Sequence, residues 1–125
     1  MIVGLGVDIA DVNRMREAIE RHGERFLRRV FTSREIDYCE SHRNRYERYA
    51  ARFAAKEAAM KALGTGWRRG VRWLDIEVVR ELSGKPALEL RGAARAIAGE
   101  LGVKHTALSL THTETQALAQ VTFES

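Results

Sequence analysis

Residues 46–63 constrain this chain most: eighteen residues without glycine or proline, rich in alanine, and closed by Gly64. Alanine loses least in a helix and glycine is favoured just past a helix C-terminus, so one long helix from Tyr46 to Leu63 is predicted. A chain of 125 residues built on that helix can bury one modest core, and a single domain over residues 1–125 is expected. The hydrophobic share of 45% is globular, and no window approaches the roughly 18 uninterrupted apolar residues of a membrane span, so a soluble protein is expected.

The other elements fall in clusters around the helix. Residues 2–9, rich in Ile, Val and Leu with two glycines, read as a buried strand where a backbone or ligand comes close. Asp11 caps a predicted helix over 12–22, with Val12, Met15 and Ile19 as its apolar stripe and Gly23 as its stop. Thr32-x-x-Glu35 has the form of a capping box, so a further helix is predicted from Ser33, breaking around Asn44. Residues 74–82 and 86–90 read as a hairpin about Ser83-Gly84, with Ile76, Val78, Leu88 and Leu90 facing the core. A helix over 93–101 and strands over 106–112 and 116–123, joined at Thr113-Glu114-Thr115, complete the set. Clustering of this kind predicts an α+β domain with helices packed on a largely antiparallel sheet.

Charge narrows the partners. The net charge of +4 and pI near 9.6 call for an anionic one, and Arg14, Arg16, Arg21, Arg25, Arg28 and Arg29 crowd one short segment. That segment reads either as a solvated basic face or as a docking surface. Cys39 is the sole cysteine, which excludes an internal disulfide and fits a cytoplasmic thiol; neighbouring carboxylates argue against a reactive one. The amino terminus has no basic segment or cleavage site of a secretory signal, so a cytoplasmic location is expected. Histidines 22, 42, 105 and 112 lack zinc spacing.

Three segments carry candidate chemistry. In Gly4-Leu5-Gly6-Val7-Asp8 a carboxylate ends a strand whose glycines leave room for a ligand; Asp8 serves either as a magnesium ligand or as a capping group. In Phe53-Ala-Ala-Lys56-Glu57-Ala-Ala-Met-Lys61, Glu57 and Lys61 project from one side of the helix near Ala50, Phe53 and Ala54. A surface pair of this spacing adds only about 0.2–0.5 kcal/mol and normally sits on the polar face, so the two charges read either as an ordinary pair or as facing a pocket, the glutamate holding a metal and the lysine meeting a phosphate. The following Gly64-Thr65-Gly66 offers a phosphate nest or a plain helix cap, and it is no P-loop, because the lysine precedes the glycines. Last, Ser109-Leu110-Thr111-His112 alternates so that His112 shares the face of Leu108 and Leu110, a place suited to a structural hydrogen bond.

Together these segments resemble the holo-[acyl-carrier-protein] synthase family of the 4′-phosphopantetheinyl transferase superfamily, over essentially the whole chain. The likeness rests on Gly4-x-Gly6-x-Asp8-Ile9 with Arg14, on the block from Phe53 through Lys56, Glu57 and Lys61 to Gly64-Thr65-Gly66, on Gly84-Lys85-Pro86, and on Ser109-Leu110-Thr111-His112. Asp11 stands where a glutamate is common in the family. The resemblance implies Asp8 and Glu57 as magnesium ligands, Glu57 and Lys61 as catalytic residues, and Arg52, Lys61, Gly64, Thr65 and His112 as coenzyme A contacts. It further implies that Arg14, Arg21, Arg25, Phe26 and Arg28 dock an acidic acyl-carrier protein, and that the chain forms a trimer with active sites between subunits. The implied reaction moves the phosphopantetheine arm of coenzyme A to a carrier serine in support of fatty-acid biosynthesis, with Glu57 taking the serine proton directly or through a water. A transferase serving polyketide, peptide or siderophore carriers is commonly about twice as long in one chain. A nucleic-acid binder would need a recognised motif or a stacking platform, and neither is present. An inactive binding module would not keep both carboxylates and Lys61.

Overall fold

The structure is a computed structural model that describes residues 1–66 and 68–125. In chain order its elements are β1 (Ile2–Asp11), α1 (Val12–His22), α2 (Glu24–Val30), α3 (Ser33–Glu40), α4 (Arg45–Leu63), β2 (Ile76–Arg80), β3 (Pro86–Leu90), α5 (Gly92–Glu100), β4 (His105–His112) and β5 (Gln116–Glu124). The α+β class stands, with one difference: the strands form two antiparallel sheets, a three-stranded sheet ordered β1-β5-β4 and a separate β2-β3 hairpin.

The long helix α4 lies on the three-stranded sheet, and the glycines of β1 let it come close. A Cβ on Gly6 would stand 1.9 Å from the carbonyl oxygen of Ala58, and one on Gly4 would stand 2.3 Å from that of Ala62. The space that the two glycines open is therefore filled by helix backbone, not by a ligand. Beneath the helix, Ala117, Ala119 and Val121 of β5 are buried, and its own Ala54, Ala55, Ala58 and Ala59 are fully so. Small residues on both sides make this a backbone-close interface.

Only one face of β1 is buried. Gly6 and Ala10 point inward, while Leu5, Val7 and Ile9 point out with exposures of 60%, 53% and 57%. The apolar composition of residues 2–9 thus reflects two faces with different surroundings, because alternate residues of a strand face opposite ways.

The predicted caps form. Asp11 Oδ1 accepts the backbone N–H of Arg14 at 3.0 Å, and Thr32 and Glu35 make the reciprocal box at the start of α3. Gly64 closes α4 in the left-handed conformation, at φ 78°. The helix α2 was not legible, since seven residues give too few turns to establish a periodicity. The hairpin is shorter than predicted because residues 73–75 form a 3₁₀ turn ahead of β2.

A buried ion pair ties the layers together. Lys56, next to Glu57 in sequence but fully buried, meets Glu35 at 2.8 Å and donates to the carbonyls of Ile76 (2.6 Å) and Trp73 (3.1 Å). Glu35 accepts from the backbone N–H groups of Thr32 (2.8 Å) and Val78 (2.7 Å). Burial lowers the Lys56 pKa, with the Glu35 charge opposing that shift. One carboxylate thereby caps α3, anchors β2 and neutralises a cation of α4.

Candidate active site

Asp8 reaches the edge of α4 from the inner face of β1. Lys61 Nζ donates to Asp8 Oδ1 and to the Val7 carbonyl, both at 3.0 Å; the Asp8 side chain is 19% exposed and that of Lys61 57%. One turn back along the helix, half-buried Glu57 completes the group. Its carboxyl is pushed above the ordinary value by burial and then by the Asp8 charge, while Lys61 pulls the other way. The sequence placed Glu57 and Lys61 with Ala50 and Ala54, but those alanines are buried in the core and the charged pair occupies the helix flank.

Two carboxylates and no third His, Cys, Asp or Glu close enough to ligate are found here among the described residues. Such a sparse oxygen set does not suit zinc. It fits magnesium, which binds through one or two carboxylates and fills its remaining positions with water and substrate phosphate.

A second group lies on the other flank of α4. Arg52 is nine residues from Lys61, about 180° around the helix. Only 4% exposed, it carries a buried Nε with no hydrogen-bond partner among the described residues. Its guanidinium carbon stands 4.0 Å from the centroid of the Tyr38 ring, and those of Arg80 and Arg48 stand at 4.9 and 5.9 Å. These residues line a cavity of about 210 Å³ with Pro86 and His112. His112 Nδ1 meets Glu47 Oε1 at 2.8 Å, the structural bond expected for its place on the strand. Sequence reasoning missed Arg48, Arg80 and Tyr38. Arg48, one turn before Arg52 on the same helix face, was the available signal.

Register confirms the separation. Asp8 pairs with Ala119, which pairs with Leu110; Ala10 pairs with Ala117, which pairs with His112. Asp8 and His112 thus share the inner face but stand on opposite edge strands, with α4 between them.

The loop after α4 is a cap. The N–H groups of Gly64, Thr65 and Gly66 all turn back to the Met60 carbonyl, at 3.1, 3.4 and 3.4 Å, so the nest reading of these amides does not hold. The Thr65 hydroxyl donates to the Gly66 carbonyl at 3.2 Å.

The basic segment is two helices, broken at Gly23, where φ is 58°. Arg14 and Arg21 are exposed on α1; Arg25 and Arg28 are exposed on α2, and Arg28 pairs with Glu24 at 3.0 Å. Arg14 and Phe26 meet around a cavity of about 290 Å³ floored by Ile9, Met15 and Phe53. Cys39 is buried and its thiol is pushed up to about 12, chiefly by burial rather than by the neighbouring carboxylates.

The sequence pattern of the 4′-phosphopantetheinyl transferase superfamily matches residues 4–121. A holo-[acyl-carrier-protein] synthase of Solibacter usitatus is 56% identical over 125 residues, covering 100% of both chains. The crystal structure of the Neisseria meningitidis holo-[acyl-carrier-protein] synthase superposes with a TM-score of 0.90 at 33% identity, over 100% of both chains. That of the Bacillus anthracis enzyme in complex with CoA (3′,5′-ADP) gives 0.82 at 36% identity, over 100% of this chain and 98% of the other. Likeness of this extent, in a fold that gathers Asp8, Glu57 and Lys61 at one helix flank, makes the chain a member of the holo-[acyl-carrier-protein] synthase family within the 4′-phosphopantetheinyl transferase superfamily.

Proposed function

We propose that this chain transfers the 4′-phosphopantetheine group of coenzyme A to a serine of apo-acyl-carrier protein, yielding the holo protein and adenosine 3′,5′-bisphosphate, as a cytoplasmic step in support of fatty-acid biosynthesis. The observation that carries this reading is the contact of Lys61 with Asp8 beside a Glu57 whose carboxyl is pushed up. Neighbouring carboxylates resist joint ionisation until a cation joins them. Magnesium held by Asp8 and Glu57 would supply that charge and polarise the coenzyme pyrophosphate.

The residues of the chain divide the remaining work. Glu57 accepts the proton of the attacking serine, directly or through a water. As the serine oxygen bonds to the β-phosphorus, the bond from that phosphorus to the bridging oxygen breaks, and Lys61 offsets the charge on the departing bisphosphate. Thr65 and Gly64 stand at the end of the same helix, one turn beyond Lys61.

Coenzyme A has two anionic centres, the pyrophosphate and the ribose 3′-phosphate. With the pyrophosphate at Lys61, the 3′-phosphate is left for the arginine pocket of Arg52 and His112. Those places lie on opposite flanks of α4, so one coenzyme joins the flank of one protomer to the pocket of the next. A contact between unlike surfaces forms a closed ring where its rotation allows, and the resemblance to the family supports reading that ring as a homotrimer. The exposed Leu5, Val7 and Ile9 of β1 supply an apolar face for it. Arg14, Arg21, Arg25 and Arg28 present charge to an acidic carrier protein, with Phe26 beside an apolar cavity that can take a side chain.

Incubation with coenzyme A, magnesium and apo-carrier protein, followed by intact mass measurement, tests the reaction. A gain of one phosphopantetheine on the carrier is expected; an unchanged carrier mass would remove the assignment.

A further inference from the structure

We infer that Tyr38 is a positioning residue that gathers the guanidinium groups of Arg48, Arg52 and Arg80 into one site for a doubly charged phosphate monoester, and so sets the preference for a 3′-phosphorylated coenzyme; this rests on the reading that the pocket receives coenzyme A. Three guanidinium carbons lie within 5.9 Å of one ring centroid. Among the described residues no carboxylate forms an ion pair with any of them. Glu77 and Glu89, the acids on the two strands of the adjacent hairpin, are engaged by Arg34 and Arg91, and Glu47 by His112, while Glu81 in the hairpin turn forms no ion pair with the three arginines. Like charges gathered without a counter-charge repel one another, and the negative face of the ring is what attracts them in the protein itself.

The hydrogen bonds point the same way. The Tyr38 hydroxyl accepts from Arg48 Nη1 at 3.1 Å, and Arg48 Nε donates to Asn44 at 3.3 Å. Arg80 Nε donates to the Gly84 carbonyl at 3.3 Å, while the buried Nε of Arg52 has no acceptor. A buried guanidinium N–H without an acceptor is costly unless a ligand supplies one. A phosphate monoester brings three acceptor oxygens and close to two charges, which answers both deficits. Tyr38 touches the arginines from α3, so its action on the anion passes through them.

The test compares kcat and KM for coenzyme A and for 3′-dephospho-coenzyme A in the full chain and in Tyr38→Phe, Tyr38→Leu and Tyr38→Gln. The Phe variant keeps the ring and should keep most of the preference for coenzyme A. Leu and Gln remove the ring and should reduce that preference by about tenfold, through KM for coenzyme A rather than through kcat. In an Arg52→Met, Arg80→Met background, Tyr38→Leu should change the preference little further. The assignment is overturned if Leu and Gln retain the full preference, if Phe loses as much as they do, or if both coenzymes suffer equally through kcat. Failure of both Leu and Gln to fold would place Tyr38 in the core and also overturn it. A native chain without any preference for coenzyme A over its dephospho form would instead remove the pocket reading on which the inference stands.

Discussion

Glu57 and Lys61 are one helical turn apart, yet they meet Asp8 differently: the lysine touches it and the glutamate feels its charge. This difference separates the expected effects of substitution. Lys61→Met keeps the aliphatic stem and loses the cation. If that cation acts mainly on the leaving group, kcat should fall by about 10²-fold or more with a smaller change in KM for coenzyme A, measured by steady-state kinetics. Asp8→Asn and Glu57→Gln should each remove magnesium-dependent transfer while circular dichroism and melting temperature stay close to native, because neither carboxylate is packed in the core. Normal turnover in either would place the metal elsewhere. Spacing along the helix made Glu57 and Lys61 visible as a pair, whereas their meeting with Asp8 depends on a residue about fifty positions away.

The elements are held at a few positions where one side chain serves several of them. The Gly6 site admits no Cβ, since the Ala58 carbonyl lies 1.9 Å from where it would be. Gly6→Ala should therefore push β1 from α4 and lower stability by about 1–3 kcal/mol, readable in urea melts, with activity falling as Asp8 moves from Lys61. Glu77 ties β2 to its surroundings through Thr32, Arg34 and Arg91. Burial pushes its carboxyl up, but the hydrogen bonds from Arg34, Thr32 and Arg91 and the Arg91 charge outweigh this and hold it down at about 2, below the ordinary 4.5. A depressed folded pKa gives stability that is complete above the unfolded value and is lost as pH falls toward the folded one. The stability gap between the native chain and Glu77→Gln should thus be widest above about pH 5 and close progressively toward about pH 2. A gap independent of pH would mean that shape rather than charge matters at this position. The capping box of Thr32 and Glu35 and the glycine stops are written in adjacent residues, so they were legible. The role of Glu35 as partner to Lys56 was not, because the two come together only when α3 and α4 pack.

At the level of the whole molecule, the two places proposed to hold the coenzyme cannot serve one another within a chain, since α4 stands between them. Light scattering in dilute buffer should give about three times the 14.1 kDa chain mass. Val7→Glu, placed on the exposed face of β1, should dissociate the assembly and remove activity together, and a fully active monomer would contradict the shared site. The basic helices make a separate forecast. Arg14 and Arg21 are seven residues apart, two turns of α1, and face one side. Reversing both to Glu should raise KM for the carrier at low ionic strength, with the effect shrinking as salt is added and coenzyme binding little altered. Unchanged carrier kinetics would return these arginines to a solvated face.

Residues 46–63 and their glycine stop specified α4, and adjacent residues specified the caps, the hairpin pairing and the closing strands, because periodicity and capping act over one or two turns. The charged motif and its order along the chain were enough to bring out the family likeness. Packing settled the rest: β1 lies at a sheet edge with its outer face open, its glycines meet the Ala58 and Ala62 carbonyls, and Lys56 is buried while its neighbour Glu57 faces the flank. Packing also drew Arg48, Arg52 and Arg80 from two elements around the single ring of Tyr38. Contacts between elements far apart in sequence leave no local period, so they exist only once the helix has been laid on the sheet.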